Sequence, residues 1–152
     1  REWVDARSVI EAVAADARLH SPASDIEVVV RPAELELWVD PDRIHQVLAN
    51  LTANALQFSP ASGSVRLSAV DVGEVVELSV ADHGPGIPAC EVDRVFERFY
   101  RADATRPGVP AGTGLGLSIA RWIVDLHGGD VLATPNEPSG CVMVVRLPRA
   151  TR

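Results

Sequence analysis

Gly112-Thr113-Gly114-Leu115-Gly116-Leu117-Ser118 is the stretch on which the fold turns. Glycines at alternate positions let backbone N–H groups approach phosphate, and the apolar run behind them, about Leu115 to Leu126, reads as a helix whose N-terminal dipole favours an anion. A dinucleotide-binding βαβ unit would place a strand immediately before the first glycine. Here Pro107, Gly108 and Pro110 precede it instead. Only about 25 residues follow the helix, too few to finish a doubly wound parallel sheet. A second glycine loop, Asp82-His83-Gly84-Pro85-Gly86-Ile87, ends a strand-like run. All 14 basic residues are arginine, so no Walker lysine and no strand lysine of the eukaryotic kinase type is present. If phosphates are held, glycine backbone and guanidinium groups hold them.

Working outward, helical and strand periods alternate. Val9, Ile10, Val13, Ala14 and Ala17 recur at helical spacing over residues 6–19, ended by Ser21-Pro22. Two short strand-like runs follow, Ile26 to Arg31 and Glu34 to Val39. Asp40-Pro41 is an N-cap with proline at the first helical position. Its helix runs to about Phe58 with Ile44, Val47, Leu48, Leu51, Ala55 and Phe58 as the apolar stripe. Ser64 to Val70 and Val75 to Asp82 alternate with period two around Asp71-Val72-Gly73-Glu74, the pattern of a hairpin. A short helix is expected at Ala89 to Val95. Periodicity is then lost from Tyr100 to Gly112, a loop long enough to carry function. The Leu115–Leu126 helix ends at His127-Gly128-Gly129, and strands near Asp130–Thr134 and Cys141–Leu147 close the chain. The expected fold class is an α/β (α+β) two-layer sandwich. A mixed, mostly antiparallel sheet of about five strands packs against three main helices.

With 152 residues, 47% of them hydrophobic, the chain has the makings of one domain with a real core, taken as residues 1–152. A net charge of −7 argues against a nucleic-acid or anionic-membrane surface. No apolar run approaches the roughly 20 residues that cross a bilayer. The start, Arg1-Glu2-Trp3-Val4-Asp5, is unlike a signal peptide, and the missing initial methionine suggests a piece of a longer protein. Cys90 and Cys141 form no CxxC, and His20, His45, His83 and His127 lack zinc-ligand spacing. Two inert thiols in a reducing cytoplasm are the expectation.

Three groups of residues carry potential chemistry. On the Asp40–Phe58 helix, Asn50, Asn54 and Gln57 form a stripe beside the apolar one. Asparagine is a poor helix-interior residue, and an amide oxygen suits Mg²⁺ carrying phosphates and waters. The same pair could instead be solvated or core-satisfied amides. Asp82 shares the inward parity of Val76, Leu78 and Val80, so its carboxylate needs donors. An adenine amino group would be one, while a turn aspartate at a strand end is the plainer alternative. Arg94, Arg98, Arg101 and Arg106 face only Glu97 and Asp103 in this stretch of an acidic chain. They are phosphate-clamping guanidinium forks or simply a solvated charged face.

Taken together and in this order, these segments resemble the nucleotide-binding boxes of bacterial sensor histidine kinases, within the wider GHKL (Bergerat-fold) ATPases. Asp40-Pro41-Asp42-Arg43 through Asn50-Leu51-Thr52-Ala53-Asn54-Ala55 resembles the N box, and Asp82 to Ile87 the first glycine box. Phe96-Glu97-Arg98-Phe99-Tyr100-Arg101 resembles the F box, and Gly112 to Ser118 the second glycine box. The resemblance implies a protein-histidine kinase catalytic domain that binds ATP and Mg²⁺. By it, Asn54 ligates Mg²⁺, Asn50 supports the phosphate side, Asp82 reads the adenine amino group, and residues 100–113 form the ATP lid. Arg106 reaches the γ-phosphate and, with Asn50, makes up the catalytic set. Gln57, Gly84, Gly86, Ile87, Arg98, Tyr100, Arg101, Gly112, Thr113, Gly114, Leu115, Gly116 and Leu117 complete the nucleotide-binding set. Gln57 departs from the family's usual Lys, Arg or His at that position.

No histidine here is followed by an acid, whereas the family's phosphorylated histidine sits in a His-Glu or His-Asp sequence of a separate helical dimerisation domain. The resemblance therefore implies transfer to a histidine presented by that domain of the same parent, with a response regulator downstream. The parent is expected to be homodimeric and membrane-anchored, with this piece on the cytoplasmic side and monomeric by itself. Members that mainly hydrolyse ATP usually carry a glutamate where Asn50 stands, so slow hydrolysis is expected. A non-catalytic ATP-sensing module and a GHKL-type ATPase are the alternatives.

Overall fold

The computed structural model describes residues 1–58, 63–83, 116–136 and 140–151. The expected helix at 89–95, the loop at 100–113 and Cys90 lie outside them. The described residues form, in order, β1 (Glu2–Asp5), α1 (Ala6–His20), β2 (Asp25–Arg31), β3 (Glu36–Val39), α2 (Pro41–Phe58), β4 (Ser64–Asp71), β5 (Val75–Ala81), α3 (Gly116–Leu126), β6 (Asp130–Pro135) and β7 (Cys141–Pro148).

The main sheet has five strands in the order β2-β4-β5-β7-β6, with β2 parallel to β4 and every other pair antiparallel. Period-two alternation puts Val65, Leu67 and Ala69 of β4, Val76, Leu78 and Val80 of β5, and Met143, Val145 and Leu147 of β7 on the buried face. The helices cover that face with complementary stripes. They are Val9, Ile10, Val13 and Ala17 of α1, Ile44, Val47, Leu48, Leu51 and Ala55 of α2, and Ala120, Ile123 and Val124 of α3. The opposite face carries cross-strand polar pairs: Arg66 with Glu27 at 3.0 Å, Arg146 with Glu77 at 2.9 Å, and Ser68 with Ser79. The two-layer α+β sandwich with a mostly antiparallel five-stranded sheet is thus the observed fold.

One part differs from the sequence expectation. The run Glu34–Val39 does not join the main sheet. Its strand, Glu36–Val39, pairs antiparallel with β1 as a separate two-stranded ribbon, in which Trp3 and Trp38 lie opposite one another with ring centroids 5.4 Å apart. Four residues cannot display a period, so β1 carried no sequence signal. It exists because β3 offers it a partner and a cross-strand aromatic pair stabilises the match.

Helix ends follow local chemistry. Asp5 caps α1, accepting from the N–H of Arg7 at 3.3 Å and the hydroxyl of Ser8 at 3.1 Å. Asp40 caps α2, its Oδ1 accepting from the N–H groups of Asp42 and Arg43 at 3.1 and 3.3 Å. At the end of α3, Gly128 takes φ +72°, and the N–H groups of Gly129 and Gly128 close on the carbonyls of Val124 and Asp125, each at 3.0 Å. That paired closure satisfies two of the last helical carbonyls and turns the chain into β6.

Candidate functional site

The polar stripe of α2 lies where its helical phase requires. Asn50 and Asn54 are half-buried at the border of the core, and Gln57, a turn further on, is exposed. Asn50 Nδ2 donates to the carbonyl of Gly116, the first residue of α3, at 3.2 Å. α2 and α3 therefore meet with Asn50 against Gly116, the first residue of α3. A methyl group at Gly116 would meet Asn50 at 3.9 Å, an ordinary contact, so room for a side chain does not dictate glycine there. Leu117 is half-buried and packs on the core.

The other ends of these helices are tied as well. His127, buried just after α3, has Nδ1 2.9 Å from the carbonyl of Ile123 and Nε2 3.2 Å from the N–H of Asp40. A carbonyl needs a donor and an N–H needs an acceptor, so both contacts hold only for a neutral ring protonated on Nδ1. α3 thus runs antiparallel to α2, joined at Asn50–Gly116 and again at Asp40–His127. Sequence alone placed His127 only as a helix end.

Asp82 follows β5 and is 5% exposed, on the core side that its parity predicted. Its N–H donates to the carbonyl of Cys141 at 2.9 Å, and its Oδ1 accepts from the N–H of Cys141 at 3.3 Å. The carboxylate thus extends the β5–β7 ladder by one bond, which answers part of the cost of burying it. Asn136, just beyond β6, donates from Nδ2 to the Asp82 carbonyl at 2.8 Å. Gly140, at φ +107°, lies so close that an added Cβ would overlap the Asp82 carbonyl and come within 2.7 Å of His83 Cα. Burial, with the nearby Asp82 charge adding to it, pushes the Cys141 thiol up to about 12. The buried thiol therefore stays protonated and unreactive near neutral pH.

Of the residues singled out from sequence, the structure describes Asn50, Asn54, Gln57, Asp82, Gly116 and Leu117. Gly84, Gly86, Ile87, Arg98, Tyr100, Arg101, Arg106, Gly112, Thr113, Gly114 and Leu115 lie outside the described residues. Three supports of Asp82 were not found by sequence reasoning: Asn136, Gly140 and the Cys141 amide. Asn136 and Asp82 are separated by 54 positions, and no local pattern links them. Among the described residues, no group of three or more His, Cys, Asp or Glu side chains could hold a metal. The asparagine amides of α2 offer a different, neutral oxygen donor set of the kind Mg²⁺ accepts when phosphates and water fill its other positions.

The fold is shared with known proteins. The chain belongs to the family of histidine kinase-, DNA gyrase B- and HSP90-like ATPases, whose model matches residues 39–151. It is 47% identical over 118 residues to the sensor histidine kinase WalK of Bacillus subtilis (strain 168), covering 76% of this chain and 19% of that protein. A mycobacterial sensor histidine kinase, MprB, superposes with a TM-score of 0.87 at 31% identity, covering 97% of both chains. The histidine kinase ThkA, solved in complex with the response regulator protein TrrA, superposes with a TM-score of 0.80 at 26% identity, covering 97% of this chain and 41% of that one. The chain spans about a fifth to just over a third of the length of the curated relatives it matches.

Proposed function

We propose that this chain is the catalytic domain of a longer two-component sensor kinase, binding Mg-ATP and delivering the γ-phosphoryl group to a histidine on a separate dimerisation domain. The observation that carries the reading is the buried carboxylate of Asp82, held on the core side of the sheet at the end of β5. A carboxylate held in place by the Cys141 N–H suits recognition of an exocyclic amino group, and a carbonyl at the same position of a base would be repelled. On α2, the amide oxygen of Asn54 is the Mg²⁺ ligand, and Asn50 sets the N-terminus of α3 beside the phosphates. The metal, when bound, neutralises phosphate charge and helps align the transferred group. In this reading Arg106 stabilises charge on the γ-phosphoryl oxygens, and Arg98 and Arg101 belong to the nucleotide-binding set. The set contains no carboxylate at position 50 to orient water, which favours transfer to a histidine over hydrolysis.

The parent is a homodimer whose remaining segments carry the phosphorylated histidine, and a response regulator receives the phosphoryl group. No described helix is long and apolar enough to cross a membrane; membrane anchoring, in this reading, is a feature of the parent. A second reading, an ATP-sensing module without transfer, draws support from Gln57, an exposed neutral side chain where a basic one would be expected to aid phosphate binding. Mixing the domain with a histidine-bearing dimerisation domain and γ-labelled ATP decides between them. Label on the histidine supports the kinase reading. Binding without transfer supports the sensing module, and rapid phosphate release by the domain alone supports an ATPase.

A further inference from the structure

We infer that Asn136 is a positioning residue for base recognition, acting through Asp82; this rests on the reading of Asp82 as the group that receives the adenine amino hydrogen. The Asp82 peptide is fixed from three directions. β7 takes its N–H through the Cys141 carbonyl and returns the Cys141 N–H to Oδ1. Gly140 presses against its carbonyl from the start of β7, at a distance no side-chain-bearing residue could reach. Asn136 supplies the remaining anchor, a 2.8 Å hydrogen bond from Nδ2 to the Asp82 carbonyl oxygen.

Asn136 is itself held for this task, because its own N–H donates to the Gly140 carbonyl at 3.0 Å. Asn136 and Gly140 are thereby tied to one another, so the Asn136 amide and the Gly140 contact bear on Asp82 together. Asp82 lies one residue past the end of β5, at the point where strand pairing ceases to fix the backbone. The carboxylate that Cys141 holds hangs from the same Cα as the carbonyl that Asn136 holds, so a shift of that Cα at the strand end would displace both. The Asn136 side chain opposes that shift by holding the carbonyl in place. Its contribution is therefore to carboxylate direction, which matters for a ligand with a hydrogen-bond donor at that spot and not for one without it.

The test is a comparison of ATP with inosine triphosphate, whose base has a carbonyl in place of the amino group, by calorimetric titration in Mg²⁺. Wild type, Asn136→Ala, Asn136→Asp and Asp82→Asn are measured, and urea unfolding is followed in each. Asn136→Ala should lose about three- to tenfold in ATP affinity, the net worth of one hydrogen bond, with little change for the inosine nucleotide, so the preference shrinks by that factor. Asn136→Asp removes the donor while keeping the shape and should shrink the preference at least as much. Equal weakening for both nucleotides, or an unchanged preference, overturns the positioning role. The failure of the underlying reading looks different: Asp82→Asn would then leave the preference intact. If Asp82→Asn abolishes the preference while both Asn136 variants retain it, Asp82 reads the base without help from Asn136, and the inference falls alone.

Discussion

Replacing His127 with leucine isolates the tie between the C-terminal end of α3 and the N-terminus of α2. Leucine is close to histidine in volume, so the substitution opens little cavity at a site that is 8% exposed. What it removes is the acceptor for the Asp40 N–H and the donor to the Ile123 carbonyl. An N–H left without a partner costs about 1–3 kcal/mol when buried, and Asp40 is half-buried, which points to the lower half of that range. The Ile123 carbonyl keeps a second donor, the His127 N–H at 3.2 Å, so losing Nδ1 there costs about 0.5–1 kcal/mol. The expected loss is about 1.5–3 kcal/mol, a large fraction of the roughly 5–15 kcal/mol by which a domain is stable. His127→Gln, which can place an amide oxygen near the position of Nε2, should lose under about 1 kcal/mol. The assay is urea unfolding with the slope held in view, so that a shifted midpoint at constant slope reads as stability alone. Amide exchange at Asp40 should accelerate in the leucine variant and not in the glutamine variant. Leucine and glutamine variants of equal stability, or a leucine variant within about 0.5 kcal/mol of wild type, would refute the reasoning.

Asn54→Ala should weaken nucleotide binding in Mg²⁺ while leaving binding in chelator nearly unchanged, because the side chain borders the core without forming it; an unaltered Mg²⁺ titration would assign the metal elsewhere. Arg106→Ala should slow single-turnover phosphorylation of the separate dimerisation domain at saturating ATP by more than it weakens ADP binding, since a guanidinium on the γ-phosphoryl oxygens acts on charge developed during transfer. Arg66→Ala is the control: its 3.0 Å pair with Glu27 is exposed, so stability should change by under about 1 kcal/mol and transfer not at all. Cys141, its thiol pushed up to about 12, should resist iodoacetamide at pH 8 in the folded protein and react once urea exposes it. Reaction of folded and unfolded protein at equal rates would contradict its burial.

Much of the architecture follows from local pattern alone. The Ile44 to Ala55 stripe, the β4–β5 hairpin and the inward parity of Asp82 all come from side chains that must alternate between core and water at the period of their element. The caps at Asp40 and Gly128 are equally local, because the groups they satisfy lie within a few residues. The polar stripe of α2 was legible for the same reason. Sequence also set the resemblance to the histidine kinase boxes, since those residue types recur in a fixed order.

What only the tertiary structure decided is which distant groups meet. Parallel pairing of β2 with β4, the insertion of β7 between β5 and β6, and the departure of β3 into a ribbon with β1 depend on how whole elements share one core. No window of sequence contains both partners. The tie from His127 to Asp40 and the anchors of Asn136 and Gly140 on Asp82 are of the same kind: each joins residues more than fifty positions apart. Burial periodicity tells a residue which way to face. It does not say which hydrogen-bond partner the fold will bring there, because that partner is selected by the packing of helices and strands that the local period leaves free.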